Sequence, residues 1–436
     1  HHYHPTDRFP SADGAPQGRS RRHAKQGRRR RCGRTDTDAG RPSCPSLSLG
    51  LVAKIHGRLP FLDRLAFAAA FVEPCKDLFE PEPPCLLLPD KTSDTARLFS
   101  LAERRAFSAR VPDPAMRERD YLVIGSNHGW LATADDRGQI HLANPTTGLP
   151  HITTMGVFYL RQDRRHFSVI IKDFLAARYG GGPPFELHSR GPHGYGTCTY
   201  SACQMRMWFY RKLVLSDSPR PGTYAAMLIL EPKIGAPAFA TAEDPAWRLA
   251  RSPDGVEDAI FQPDDGKFWS VSYTGVVESW ERDADTGMYQ STPVAPMLAL
   301  PAINPCPRKY LVAAPGGRLM VVLKYSEVNE GRYSQDRPCR CSFKVHVLGD
   351  GGLWEETTDI GEAALFVGVS TSGRPEIMAN CVYYADDDLG KATVYKRSRG
   401  VGVYNLNHGA MTCLELGPHD GSSSWPPPAW MTPSIP

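Results

Sequence analysis

The chain has 436 residues, with 51 Lys and Arg against 47 Asp and Glu, which is room for one large domain or two to three ordinary ones. No segment approaches the roughly 20 consecutive apolar residues that span a bilayer, so a membrane-spanning helix is excluded. The first 43 residues carry 11 basic and 4 acidic side chains and the rest carry 40 basic and 43 acidic ones, so no nucleic-acid-binding surface is expected on the body of the chain.

Residues 1–43 are rich in Arg, Gly, Pro and His and almost free of aliphatic side chains. This composition cannot offset the entropy of ordering and predicts a disordered basic tail. The four arginines at 28–31 could instead form a nuclear-import or RNA-contacting patch. The first residue is His rather than Met, which suggests a fragment or an unreliable start.

Two amphipathic helices are predicted within residues 44–76, a short helical unit ahead of the main body. The first has an apolar residue at every fourth position and should stop at Pro60; its stripe is Leu47, Leu51, Ile55 and Leu59. Pro60 is tolerated in the first turn of the second helix, which should end by Pro74. The proline-rich residues 77–85 are interpreted as a linker.

From residue 86 to 436, short runs of β-branched and aromatic residues alternate with polar ones and are broken by Gly, Pro, Asn and Asp. So many short antiparallel strands can bury their faces if they form small sheets arranged in a closed ring. At about 40 to 50 residues per sheet, this segment predicts a β-propeller of six or seven blades. A pair of β-sandwiches is the alternative. The candidate repeats are 124–142, 212–230, 259–280, 310–324, 343–354 and 380–406.

Catalytic and metal-binding motifs are missing from the sequence. It contains no phosphate-binding P-loop, no His-Glu-x-x-His and no Gly-x-Ser-x-Gly elbow, and 339–341 (CRC) supplies only half a zinc site. We expect the acidic run 386–388 to be a solvated loop, His128 and His141 to bond loops, and most tryptophans to fill the spaces between blades. The sequence therefore predicts no enzyme, no metal and no cofactor. An enzyme with its site in the central channel would have no motif to support it.

Several motifs resemble, in family order, a grass-expanded plant family that joins an N-terminal F-box to a KIB-type β-propeller, known as domain of unknown function 295. They are GSNHGWL at 125–131, LANP at 142–145, KLVLS at 212–216, DGKFWSV at 265–271, YLV at 310–312, DIGEAALFVG at 359–368, NCVYY at 380–384 and WPPPAWMTPS at 425–434. The segment 47–70 is similar to the first two F-box helices. Leu-Ser replaces the usual initial Leu-Pro at 47–48, and Pro74 would break the third helix.

The resemblance implies a substrate-recognition subunit of an SCF-type (cullin-RING) ubiquitin ligase in the nucleus, the cytoplasm or both. The F-box would bind a Skp-type adaptor, and through it the cullin complex, while the propeller binds a target protein of unknown identity. The adaptor-binding residues implied are Leu51, Ile55, Leu59, Pro60 and Leu62. The alternative is a propeller that binds other proteins outside any ligase, with a decayed F-box. The scattered, odd-numbered cysteines favour the reducing compartments named above.

Overall fold

The protein is a ring of small antiparallel sheets preceded by a helical hairpin. The computed structural model describes residues 48–70, 79, 82–90, 95–110, 121–135, 138–146, 201, 204–216, 223–232, 235–243, 246–303, 306–314, 316–326, 341–368, 377–387, 401–414, 416 and 426–433, together with short backbone segments within 152–200 and at 372–374. The predicted tail 1–43 and the segment around Pro74 lie outside these residues. Over the described part of the chain, no helix has the length and apolar character needed to cross a membrane.

The hairpin consists of α1 (Leu49–His56) and α2 (Phe61–Ala69), and Pro60 immediately precedes α2. Blade 1 follows with β1 (Cys85–Pro89), β2 (Thr95–Ser100) and β3 (Arg105–Arg110). Its fourth strand is β30 (Ala429–Met431) from the other end of the chain, which pairs antiparallel with β1. The ring is therefore closed within blade 1 by strands from both ends of the propeller.

Blades 2 and 3 are four-stranded antiparallel sheets. Blade 2 contains β4 (Tyr121–Asn127), β5 (Trp130–Asp135), β6 (Ile140–Ala143) and β7 (Ile152–Thr153). Blade 3 contains β13 (Tyr210–Leu215), β14 (Ala225–Leu230), β15 (Ala238–Thr241) and β16 (Arg248–Leu249). In the sequence, the connection from blade 2 to blade 3 contains β8 (Arg161–Gln162), β9 (His166–Ile170), β10 (Arg190–Gly191), β11 (Gly194–Tyr195), β12 (Thr197–Ser201) and a π-helical turn (Met205–Phe209).

Strands β8 to β12 form two small sheets in the connection and do not interrupt the ring, because β4 packs directly against β13. Asn127 Nδ2 donates a hydrogen bond to the Leu215 carbonyl over 2.8 Å. At Gly125 the approach is so close that an added Cβ would lie 2.0 Å from the Leu213 carbonyl oxygen. Glycine is therefore required where these two blades meet.

Blade 4 contains β17 (Asp258–Gln262), β18 (Lys267–Val271), β19 (Val277–Arg282) and β20 (Tyr289–Ala295). Blade 5 contains β21 (Arg308–Ala313), β22 (Leu319–Ser326), β23 (Cys341–Leu348) and β24 (Trp354–Thr357). Blade 6 contains β25 (Ala364–Val367), β26 (Ser372–Arg374), β27 (Cys381–Ala385), β28 (Val401–Asn405) and β29 (Ala410–Cys413), in the order β26-β25-β27-β28-β29. Of its four neighbouring strand pairs, three are antiparallel and one, β25 with β27, is parallel.

The propeller prediction is confirmed, and the blade number is six. The division into repeats is wrong at two places: segments 310–324 and 343–354 both belong to blade 5, and no candidate repeat corresponds to blade 1. Residues 327–340 separate the two hairpins of blade 5 in the sequence, and a separation of this length resembles the spacing between two blades.

Large aromatic side chains fill the spaces between blades, as expected. Phe239 of blade 3 stacks on Tyr289 of blade 4 with ring centroids 3.9 Å apart, and Trp280 lies beside them at 1% exposure. Between blades 6 and 1, Trp430 packs edge-on against Phe366, with centroids 5.1 Å apart. Adjacent blades are thus held together mainly by apolar contact, which is the dominant favourable contribution to folding.

Candidate functional site

The first candidate site is the helical hairpin, which is fixed to the edge of blade 1. Phe61 and Leu65 of α2 are buried in the same apolar cluster as Leu87 of β1 and Leu98 of β2. The Phe61 ring also lies 5.5 Å from the ring of Phe107 in β3. Because these side chains belong to the core, the hairpin is an integral part of the propeller's edge.

Arg64 anchors the hairpin by charge. Its guanidinium forms a bidentate pair with Glu82, in which Nη2 donates to Oε2 over 2.9 Å and Nε donates to Oε1. Nη1 donates to Glu103 Oε1 over 3.1 Å and to the Leu59 carbonyl over 2.8 Å. The hydrogen bond with Glu82 is the main cause that raises the pKa of Arg64 above its ordinary value. Bidentate pairing fixes orientation as well as position, so α2 is held in one pose on blade 1.

The five residues implied to bind an adaptor do not share one environment. Leu51 is 44% exposed, Pro60 is exposed, and Ile55 and Leu59 are half-buried. Leu62 packs against the core cluster beneath the hairpin. The structure therefore leaves four of the five on or near the surface and turns the fifth toward blade 1.

The buried face of α1 differs from the stripe that the sequence indicates. Val52 and His56 point inward at 1% and 6% exposure, while Leu49 and Leu51 stand outward at 50% and 44%. The predicted stripe is offset by one residue from the buried face of α1. Leu49 and Leu51 lie in the first turn of α1, next to residues outside the described part of the chain.

The second candidate site is a charge network among the inner strands. Lys212 Nζ of β13 lies 2.6 Å from Asp258 Oδ1 of β17, and Asp258 Oδ2 accepts the backbone N–H of Leu311 in β21 over 2.8 Å. Lys309 Nζ lies 2.6 Å from Glu257 Oε2. These contacts join blades 3, 4 and 5 through side chains with almost no exposure to solvent.

The network continues into blade 6. Tyr310 donates a hydrogen bond to Asp387 Oδ1 over 3.1 Å, and Arg308 Nη2 lies 3.4 Å from Asp387 Oδ2. Lys324 donates to the Tyr384 hydroxyl, which donates to Asp386 Oδ1 over 3.0 Å. The expectation of a solvated loop is therefore wrong for Asp386 and Asp387, because partners on neighbouring strands draw both carboxylates into the interior; residue 388 lies outside the described part.

Burial dominates the electrostatics of this network. It lowers the pKa of Lys212 and raises the pKa of Asp258, although each partially compensates the other. For Asp387, burial alone would raise the pKa, but nearby cations led by Arg308 bring it below its ordinary value. Each of these charged side chains contacts an opposite charge or a hydrogen-bond partner. The network therefore links blades 3, 4, 5 and 6.

The remaining candidates from the sequence have structural roles. His141 is buried, with Nε2 2.9 Å from Asp135 Oδ2, and His128 occupies a tight turn at φ 47°. Cys341 is buried, and Cys339, the other cysteine of the 339–341 motif, lies outside the described residues. Among the residues that the structure describes, no group of three or more His, Cys, Asp or Glu side chains could hold a metal ion.

Sequence reasoning missed Arg64, Glu82 and the Lys212–Asp258 pair. A usable signal was present for Lys324, which interrupts a run of apolar residues in β22, whereas Lys212 and Lys309 each follow an arginine at the start of an apolar run. Lysine is almost never fully buried unless it is paired, so a lysine within an apolar run marks a position that needs a counter-charge. The location of that counter-charge could not be read from the sequence.

Three solved structures are similar to the chain over most of its length, at low sequence identity. The Cps50 (Swd1) β-propeller domain of Myceliophteria thermophila is 9% identical, with 73% of this chain and 90% of that chain covered and a TM-score of 0.30. A putative 6-phosphogluconolactonase from Bacteroides uniformis is 12% identical, with 78% and 84% covered and a TM-score of 0.32. Hsv2p of Kluyveromyces lactis is 11% identical, with 82% and 99% covered and a TM-score of 0.27.

No curated protein matches the chain. A family model does, and it describes the KIB1-4 β-propeller over residues 98–405, from β2 of blade 1 to the end of β28 in blade 6. That span takes in parts or all of the six blades and every member of the charge network. This is not known as an enzyme family. With more than two thirds of its length matched, the chain belongs to the KIB1-4 β-propeller family.

Proposed function

We propose that the protein is a substrate-recognition subunit of an SCF-type (cullin-RING) ubiquitin ligase, acting in the nucleus or cytoplasm. A propeller of this family fits a role in protein interaction. The hairpin would bind a Skp-type adaptor of the cullin complex, and the propeller would bind the target protein. The observation that carries the proposal is a rigidly mounted helical pair whose outward side chains include Leu49 and Leu51, both about half exposed.

The mounting of the hairpin supports this role physically. A receptor that brings a target to a separate catalytic machine needs a fixed geometry between its two binding surfaces. Here the Phe61 contact with blade 1 and the paired Arg64 hold the hairpin against the propeller. An apolar helix face that fits a groove on the adaptor is a common mode of recognition.

The direct test is co-purification of the full chain with a Skp-type adaptor. Deleting the whole hairpin is a poor variant, because it would uncover the core around Leu87 and Leu98. Leu51→Glu instead changes an exposed side chain and should abolish adaptor binding while the melting temperature stays within about 2 °C of the original, as for most surface substitutions. The matched control is Leu353→Glu, on a leucine that is 65% exposed in the turn before β24.

Two results would contradict the ligase proposal. The unmodified chain does not bind the adaptor, or the Leu51→Glu and Leu353→Glu variants bind it equally well. The alternative, a propeller that binds partners without a ligase, is favoured by one observation: Leu62, one of the five implied contact residues, packs against the core cluster. It predicts that a partner captured by the propeller is retained by Leu51→Glu.

A further inference from the structure

A large groove lies at the seam between blades 6 and 1, where the hairpin also meets the propeller. Its volume is about 1040 Å³, and its lining comes from α1, α2, the β2–β3 turn, β28 and β29. Phe366, Tyr383 and Trp430 fill the inner part of this seam. Between blades 3 and 4, by contrast, the stacked rings of Phe239 and Tyr289 fill the space as far as the outer strand β20. At the seam of blades 6 and 1, no aromatic pair of the described residues fills the outer part in this way.

The groove has an apolar floor and a cation at its rim. Phe99, Tyr383 and Val403 contribute the apolar floor. Arg104 is exposed at the rim, and among the described residues no carboxylate pairs with it. The groove's own acidic side chain, Glu82, is already engaged by Arg64. The groove therefore carries an unbalanced positive charge beside an apolar floor.

The backbone of Arg104 adds a second observation. Its φ is 52°, in the left-handed region that a non-glycine residue occupies at a cost of about 1 kcal/mol or more. Such conformations persist where surrounding structure enforces them, and they concentrate at binding sites. The tight β2–β3 turn, closed by the pairing of Ser100 with Arg105, enforces it here.

One wall of the groove is the free edge of a sheet. β29 is the outermost strand of blade 6, and among the described strands it pairs only with β28. Ala410, Thr412 and Cys413 are exposed along it and line the groove. Other blades also end in an outer strand, but β29 combines its edge with an apolar floor and a cation. An edge strand offers unpaired backbone N–H and C=O groups to an extended chain.

We propose that this groove binds an extended peptide segment of a partner protein, which pairs with β29, inserts an apolar side chain between blades 6 and 1, and places an acidic side chain against Arg104. Backbone pairing supplies affinity, and the floor and the cation supply specificity. The volume suits a peptide, since drug-sized ligands occupy cavities of about 300–1,000 Å³ and this groove reaches the top of that range while remaining open to solvent. The inference deepens the proposed function by naming the kind of target segment that the propeller takes.

The test uses the full chain and fluorescein-labelled hexapeptide pools read by fluorescence polarisation. One pool fixes Asp and Phe two positions apart with the other positions mixed, and two matched pools replace Asp by Asn or Phe by Ser. The Asp-Phe pool should bind at least about tenfold more tightly than either matched pool, which corresponds to about 1.4 kcal/mol. Individual binders from that pool should lose affinity when alternate backbone amides are N-methylated, because those amides pair with the strand edge.

Two substitutions in the protein localise the binding. Arg104→Gln should weaken the Asp-Phe pool about tenfold without affecting the Asn-Phe pool. Thr412→Trp fills the groove from its exposed side and should abolish binding of all pools. The matched control is Arg251→Gln, on an exposed arginine outside the groove, which should bind as the original does.

Three outcomes would overturn the inference: no pool binds, Arg104→Gln and Thr412→Trp bind like the original, or 3-phenylpropanoate binds as tightly as the best peptide, which would make the ligand a small acid. Peptide binding is measured without the adaptor. Leu51→Glu should leave peptide binding intact, so loss of adaptor binding alone counts against the ligase and loss of peptide binding alone counts against the groove.

Discussion

The Lys212–Asp258 pair provides the sharpest test of how the propeller is held together. The two side chains are 5% and 0% exposed, and Nζ lies 2.6 Å from Oδ1. Replacing Lys212 by Met keeps most of the volume but leaves Asp258 buried with the Leu311 N–H as its remaining close donor. Removing one partner of a buried pair costs about 3–5 kcal/mol, so the free energy of unfolding should fall by that amount.

The double variant Lys212→Met with Asp258→Asn separates charge from packing. The Asn amide oxygen can still accept from the Leu311 N–H, and no charge remains, so stability should recover to within about 1–2 kcal/mol of the original. Urea unfolding followed by tryptophan fluorescence measures both variants. Lys267→Met is the control, because its pair with Glu281 is largely exposed and should contribute at most about 1 kcal/mol. The reasoning is refuted if Lys212→Met loses no more unfolding free energy than Lys267→Met, or if the double variant is no more stable than Lys212→Met.

Three further predictions concern other parts of the fold. Gly125→Ala should lower the unfolding free energy by about 1–3 kcal/mol, measured in urea, because the new Cβ would collide with the Leu213 carbonyl; an unchanged midpoint would contradict the close contact. Arg64→Met should speed amide hydrogen exchange in α2 at least about tenfold, because Glu82 loses its partner and local opening costs less free energy, while blade 4 exchanges as before. Burial raises the pKa of Glu278, so ionisation is disfavoured in the folded state and stability falls as pH rises from the ordinary Glu value through the raised one. Glu278→Gln should therefore raise the melting temperature at pH 7 and have a smaller effect near pH 4; equal effects at both pH values would refute the assignment.

The alternation within single hairpins could be predicted from the sequence. The pattern at 267–273 places Phe268 on the face opposite Trp269 and Val271, and the structure buries Phe268 between blades 3 and 4 and Val271 between blades 4 and 5. The turn before β19 also lies where the pattern puts it, with Gly275 at φ 93°. Such features depend on neighbouring residues and the two-residue period of a strand, so local sequence is sufficient.

Contacts between distant segments could not be predicted in this way. The burial of Asp387 depends on Arg308, 79 positions earlier in the chain, and no local pattern distinguishes this carboxylate from one in water. The inward face of α1 was displaced by one residue for a similar reason. Which residues of α1 are buried, Val52 among them, depends on contacts with the rest of the protein, whereas the leucine periodicity indicates only that one face of the helix is apolar.

The pairing of β30 with β1 also sets an order of events during synthesis. Residues 85–89 leave the ribosome long before residues 429–431, which complete the same sheet. Until then Leu86 and Cys85 have no neighbour on that side, and Trp430 cannot occupy the seam between the first and last blades. A nascent chain must therefore keep an open edge shielded through translation of five further blades, and stop codons upstream of residue 429 should yield chains that associate through that edge.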